Sequence, residues 1–140
     1  MEISLELLNE GYHLFAKNED GRIIELDGSP EIGGNNKGLR PMQAMLSALG
    51  GCSSMDVLSI LRKQKQEIVD YNVKISGERS NHSIPSIFKT IHLHFEFTGN
   101  IDPVKVEKAI NLSLEKYCSV ARILEKSARI THSYTIKAKY

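Results

Sequence analysis

Between Met42 and Leu61 apolar and small residues fill nearly every position, and polar ones break the run only singly or in pairs, at Gln43, Ser47, Ser53-Ser54, Asp56 and Ser59. A helix that is apolar almost all round is a buried helix. The stretch from Gly38 to Gln66 is therefore expected to hold a central buried helix. Pro41 suits its first position, where a missing N–H costs nothing. The polar, basic tail at 62–66 suits an exposed C-terminal end. The run is about long enough to span a bilayer, but Asp56, Gln43 and the serines are too much polarity for one span. A core helix explains the same residues. Gly50 and Gly51 inside it cost about 1 kcal/mol each relative to alanine, so close approach of another backbone is expected there.

Elsewhere the period is two. Residues 1–8, 13–16 and 23–26 read as three strands of a meander, with turn chemistry at Asn18-Glu19-Asp20-Gly21. A Gly-, Asn- and Pro-rich loop from Asp27 to Gly38 leads to the central helix. After it, 71–77 alternates as a strand. Ile91, Leu93, Phe95 and Phe97 then alternate with His92, His94 and Glu96, which marks a half-buried antiparallel strand over 86–98. Asp102 and Pro103 are a helix cap and first position. Val106, Ile110, Leu114 and Tyr117 follow at helical spacing, with Cys118 closing that helix. A short helix over 119–125 and a last strand over 130–138 complete the order βββ-α-ββ-α-α-β. That is an α+β fold with mainly antiparallel sheet, and 140 residues make it a single domain spanning 1–140.

Charge changes the picture little. A net charge of +1 and a pI near 7.8 leave no electrostatic footprint for nucleic acid. No basic segment precedes an apolar one at the N-terminus, so a cytoplasmic protein without a membrane partner is expected. The two cysteines, Cys52 and Cys118, are then either buried fillers or a redox pair.

His92, His94 and Glu96 share one strand face, with neighbours about 7 Å apart. They could hold a metal, or simply form a solvated face opposite the core. Asp56 lies one helical turn after Cys52 on the same face. It could accept a hydrogen bond at a thiol site or be a satisfied buried carboxylate. A thiol reacts as thiolate, and a fall of about 1.5 units from a free pKa near 8.5 would leave half of it ionised at pH 7. A nearby arginine is the usual device.

The segment from Gly38 through Cys52 to Leu61, with Gly50-Gly51-Cys52-Ser53-Ser54 at its heart, resembles the central helix of the OsmC/Ohr family. Leu114 to Val120, around Cys118, resembles that family's second cysteine motif, and the loop from Asp27 through Pro30-Glu31-Ile32-Gly33-Gly34 is similar to its YhfA-like branch. The resemblance implies an OsmC-like fold: an intertwined homodimer whose strands wrap two long cysteine helices. It implies a cysteine-based peroxidase that reduces organic hydroperoxides in oxidative-stress defence, with an external thiol reductant and neither cofactor nor metal. On that pattern Cys52 is the attacking thiol and Cys118 the resolving one. Met42 stands where the peroxidases carry a glutamate, and Gln43 follows it. Arg40 is nearest the helix start as the family's thiolate-facing arginine, and Arg22 is the other candidate. The candidate site is therefore Cys52, Cys118, Arg40, Gln43 and Asp56, lined by Met42, Met45, Leu49 and Met55. The alternative is a non-catalytic stress protein of the same fold that binds a small apolar ligand at the dimer interface.

Overall fold

In the computed structural model, which describes residues 1–139, the chain forms two compact units, Met1–Met45 and the residues from Leu46 onward. The first is a meander of β1 (Ile3–Leu7), β2 (Leu14–Asn18) and β3 (Ile23–Leu26), antiparallel in that order. The Asn18 carboxamide oxygen closes the tight turn by accepting from the N–H groups of Asp20 (3.1 Å) and Arg22 (2.8 Å). Register places Leu5 opposite Ala16 and Ala16 opposite Ile24, so the apolar side chains share one face. In the single chain that face is open: Leu5 is 57% and Ile24 52% exposed.

The loop that follows turns on Asp27. A short 3₁₀ turn, Pro30–Ile32, ends at Gly33 with φ of 95°, and at Gly34 a side chain would collide with the Gly28 carbonyl. The helix α1 then runs from Pro41 to Lys63. Gln43 Oε1 accepts from the Arg40 N–H at 2.9 Å, the half of a capping box in which the third helical residue reaches back to the cap.

The second unit is built on a sheet with the order β4-β5-β6, formed by Glu67–Arg79, Phe88–Asn100 and Arg129–Lys137. β4 and β5 form the expected antiparallel hairpin. β6 joins β5 in parallel, which needs a long crossover. The crossover consists of α2 (Pro103–Leu112), a π-helical turn (Ser113–Tyr117) and α3 (Ser119–Leu124). Asp102 caps α2, its carboxylate accepting from the Val104 N–H at 2.9 Å. The core holds Ile91, Leu93, Phe95 and Phe97 of β5 with Val106 and Ile110 of α2 and Leu49, Val57 and Leu61 of α1.

The α+β order is the expected one, but α1 is not buried all round. Only Leu49, Gly50, Ser53, Val57 and Leu61 are buried, a single stripe at intervals of one turn. Met45 and Met55 are 40% and 75% exposed, because in one chain the core covers one side of the helix only. α1 is long and apolar enough to cross a membrane by length and composition alone. The glycine pair also behaves differently from expectation. A Cβ on Gly50 would lie 2.5 Å from Ile75 Cδ1, so a side chain rather than a backbone fills the space, and Gly51 faces nothing within 4 Å.

Candidate functional site

Two helices bring the cysteines together. Cys52 sits midway along α1, on the turn opened by Gly50 and Gly51. Cys118 follows the π-helical turn, where its N–H reaches the Ser113 carbonyl at 2.8 Å, five residues back. The wide turn adds a residue to the end of the α2 path, a device often found at functional sites. Cys52 Sγ, Cys118 Sγ and a carboxylate oxygen of Asp56 all lie within 4.8 Å of one another. Both thiols are free.

Burial pushes the Cys118 thiol up to about 11, and its hydrogen bond with Cys52 adds to the effect. The backbone N–H of Ala121, 3.4 Å from Sγ, pulls the other way without winning. Cys118 is the N-cap of α3. It is therefore desolvation, not a helix carbonyl end, that keeps this sulfur protonated. Cys118 is 2% exposed, whereas Cys52 and Asp56 are half-buried.

Asp56 is one turn beyond Cys52, as its spacing predicts, and Ser113 of the π turn donates its hydroxyl to Asp56 Oδ2 at 2.9 Å. The serines beside Cys52 are satisfied within the helix. Ser53 Oγ donates to the Leu49 carbonyl at 2.9 Å, and Ser54 Oγ donates to the Gly50 carbonyl at 2.5 Å and meets Tyr71 Oη at 2.7 Å. Such back-bonding lets hydroxyls sit in a helix interior. Asp56 also opens onto a cleft of about 650 Å³ that is walled by Ser59, Lys63, Leu112 and Tyr117.

Arg40 and Gln43 belong to the first unit. The Arg40 guanidinium donates to the carbonyls of Asp27 and Gly38, each at 3.3 Å, and to Asn36 Oδ1. Gln43 caps the helix start. Arg22 is exposed just before β3. Asp27 is 2% exposed. It accepts from the N–H groups of Gly28, Asn35 and Lys37 at 2.7, 3.1 and 3.0 Å. Burial alone would raise its pKa, but those three donors outweigh it and hold the carboxyl below its ordinary value. No periodicity in the sequence announces these three donors.

The methionine-lined site is corrected at Leu49, which is fully buried in the core. The histidine face of β5 is a ladder of imidazoles and hydroxyls: His92 bonds Thr131 Oγ1 (2.7 Å) and Ser133 Oγ (2.8 Å), and His94 bonds Ser133 Oγ (2.7 Å). Among the described residues the three-ligand cluster is Cys52, Asp56 and Cys118, not this face.

A family model described as OsmC-like protein matches residues 34–133. Protein YhfA of Escherichia coli K12 is 43% identical over 130 residues, which is 92% of this chain and 93% of that protein. A hypothetical protein from Aquifex aeolicus VF5 shares the fold with a TM-score of 0.85 and 32% identity, over 99% of this chain and 97% of that one. An organic hydroperoxide resistance protein, OsmC, from Legionella pneumophila gives a TM-score of 0.70 at 16% identity, over 96% and 97% of the two chains, a likeness of fold alone.

Proposed function

The chain belongs to the OsmC-like protein family, and we propose that it is a cysteine peroxidase acting on organic hydroperoxides. The observation that carries the reading is the pair of sulfurs from separate segments, within 4.8 Å of each other and of a carboxylate oxygen. The fold-level likeness to an organic hydroperoxide resistance protein agrees with it.

In this mechanism Cys52 attacks as thiolate. Its sulfur bonds to one peroxide oxygen, the O–O bond breaks, and the alkoxide leaves as the alcohol after taking a proton. Cys52 is left as sulfenic acid. Cys118 then attacks the Cys52 sulfur, the S–O bond breaks, and the departing hydroxide joins the Cys118 proton as water. An external dithiol reduces the resulting disulfide by exchange. A thiol held protonated by burial suits the second role better than the first. Asp56, within 4.8 Å of the Cys118 sulfur, relays that sulfur's proton in this reading. Arg40 and Gln43 hold the loop and the start of α1.

We read residues 1–140 as one OsmC-like domain working as a homodimer. The open apolar face of β1 to β3 and the exposed Met45 and Met55 supply surface for a second copy. Light scattering should return twice the 15.7 kDa chain mass. A monodisperse monomer at micromolar concentration would remove the dimer from the reading.

The rival, a ligand-binding protein without peroxide chemistry, draws on Met42 at the position of the peroxidases' glutamate. Trapping separates the two. In Cys118→Ser, one equivalent of an alkyl hydroperoxide should leave a sulfenic acid on Cys52 that dimedone captures. In Cys52→Ser, Cys118 should remain a thiol under the same dose. Absence of the adduct from Cys118→Ser favours the binding protein.

A further inference from the structure

The cluster that the peroxidase reading uses for sulfur chemistry also has the composition of a metal site. Cys52, Asp56 and Cys118 each offer one ligand atom, and the three atoms lie within 4.8 Å of one another. A tetrahedral zinc ion, with Zn–S near 2.3 Å and Zn–O near 2.0–2.2 Å, needs its ligand atoms roughly 3.5–3.8 Å apart. Only small side-chain movements separate the observed cluster from that geometry. The carboxylate is already oriented from behind, because Ser113 donates to Asp56 Oδ2 at 2.9 Å. Such an outer hydrogen bond is the usual support for a metal-binding carboxylate. Asp56 Oδ1 has no hydrogen-bond partner among the described residues. Asp56 also lines a cleft of about 650 Å³, so one of the three ligand residues is reached from solvent.

We propose that in the reduced protein Cys52, Asp56 and Cys118 bind a thiophilic divalent cation, zinc before others, through two thiolates and one carboxylate. Binding releases the two thiol protons to solvent and changes no oxidation state. Two sulfur ligands select against magnesium and calcium, which require oxygen. Three protein ligands are one fewer than a closed structural zinc site uses. The metal-bound and disulfide states exclude each other, since both engage the same sulfurs. Bound zinc therefore shields Cys52 from peroxide, and oxidation to the disulfide expels the metal. The inference does not rest on the peroxidase reading, because it needs only the reduced thiols and Asp56.

The test is an anaerobic titration of the reduced full-length protein with cobalt(II), a spectroscopic stand-in, followed by displacement with zinc against a chromophoric chelator. One cobalt per chain is expected, with thiolate-to-cobalt charge transfer in the near ultraviolet and the strong visible bands of a tetrahedral site. Asp56→Asn should weaken zinc about 100-fold and Ser113→Ala about 10-fold. Cys118→Ser should lose about half of the charge-transfer intensity, there being two sulfur ligands. Protein oxidised by diamide should bind no cobalt. A reduced wild-type protein without the charge-transfer band overturns the site, and so does an Asp56→Asn variant that binds zinc as tightly as wild type. A chain that couples Cys52 to Cys118 under hydroperoxide but takes no cobalt loses the metal site and keeps the peroxidase. One that takes cobalt but never couples its cysteines does the reverse.

Discussion

Asp27 sits in the loop before α1 and Asp56 on that helix, and the two aspartates end in opposite conditions. Asp27 is sealed, and three backbone N–H groups from a single loop donate to its two oxygens. Asp56 is half-buried, holds one serine hydroxyl and stands beside two thiols and a cleft. The first carboxylate is engaged on both oxygens in holding its loop. The second keeps free lone pairs where sulfur chemistry can use them. What separates a structural carboxylate from a chemical one is thus how many donors already claim it, more than its depth.

The largest effect should come from breaking the sealed site. Asp27→Ala leaves three loop N–H groups without their charged acceptor, a recognised cause of severe destabilisation. Its thermal midpoint should fall by about 10 °C, whereas Asp56→Ala should stay within about 3 °C of wild type. Equal losses at the two positions would erase the contrast.

Next comes a loss of rate without a loss of fold. Asp56→Asn should slow formation of the intramolecular disulfide about 100-fold, the lower range for a removed acid–base group. Rapid-quench alkylation after hydroperoxide reads this rate. An unchanged rate would leave Asp56 a bystander in the peroxide chemistry.

How far these sites were legible in the sequence depended on whether their causes were local. The alternation of Ile91, Leu93, Phe95 and Phe97 predicts β5, and Asp102-Pro103 predicts the start of α2, because period and cap lie within a few residues. The spacing of Asp56 from Cys52 is likewise local, and the structure keeps the two side by side. The donors to Asp27 arrive from up to ten residues away, and no periodicity announces them. The π turn that sets Cys118 against Cys52 is a one-residue departure from a regular helix. Which side of α1 stays open in the single chain is not legible, because an all-round apolar helix says that cover is needed, not which chain provides it.

A smaller effect sharpens the account of the helix carrying Cys52. Gly50→Ala would push a methyl group into Ile75 and should cost about 1–2 kcal/mol. Gly51→Ala meets nothing within 4 Å and should gain up to about 1 kcal/mol through helix propensity. Urea unfolding of the two variants should therefore shift in opposite directions.

The smallest effects lie in pH dependence, and their signs differ. Asp27 has a depressed folded pKa, so its contribution is present above the ordinary carboxyl value and lost as pH falls through the folded one. Cys118 has a raised one. Folded protein keeps a proton that unfolded chains release, so stability falls as pH rises from about 9 towards about 11. The alkaline slope of the urea midpoint should flatten in Cys118→Ala and the acid slope should not.

Whether the two cysteines act on each other is read by intact-mass and peptide mass spectrometry of wild-type protein after one equivalent of an alkyl hydroperoxide. A single Cys52–Cys118 disulfide within one chain is expected, complete before any dimedone adduct accumulates. Two thiols that stay reduced, or that oxidise without joining, would contradict it.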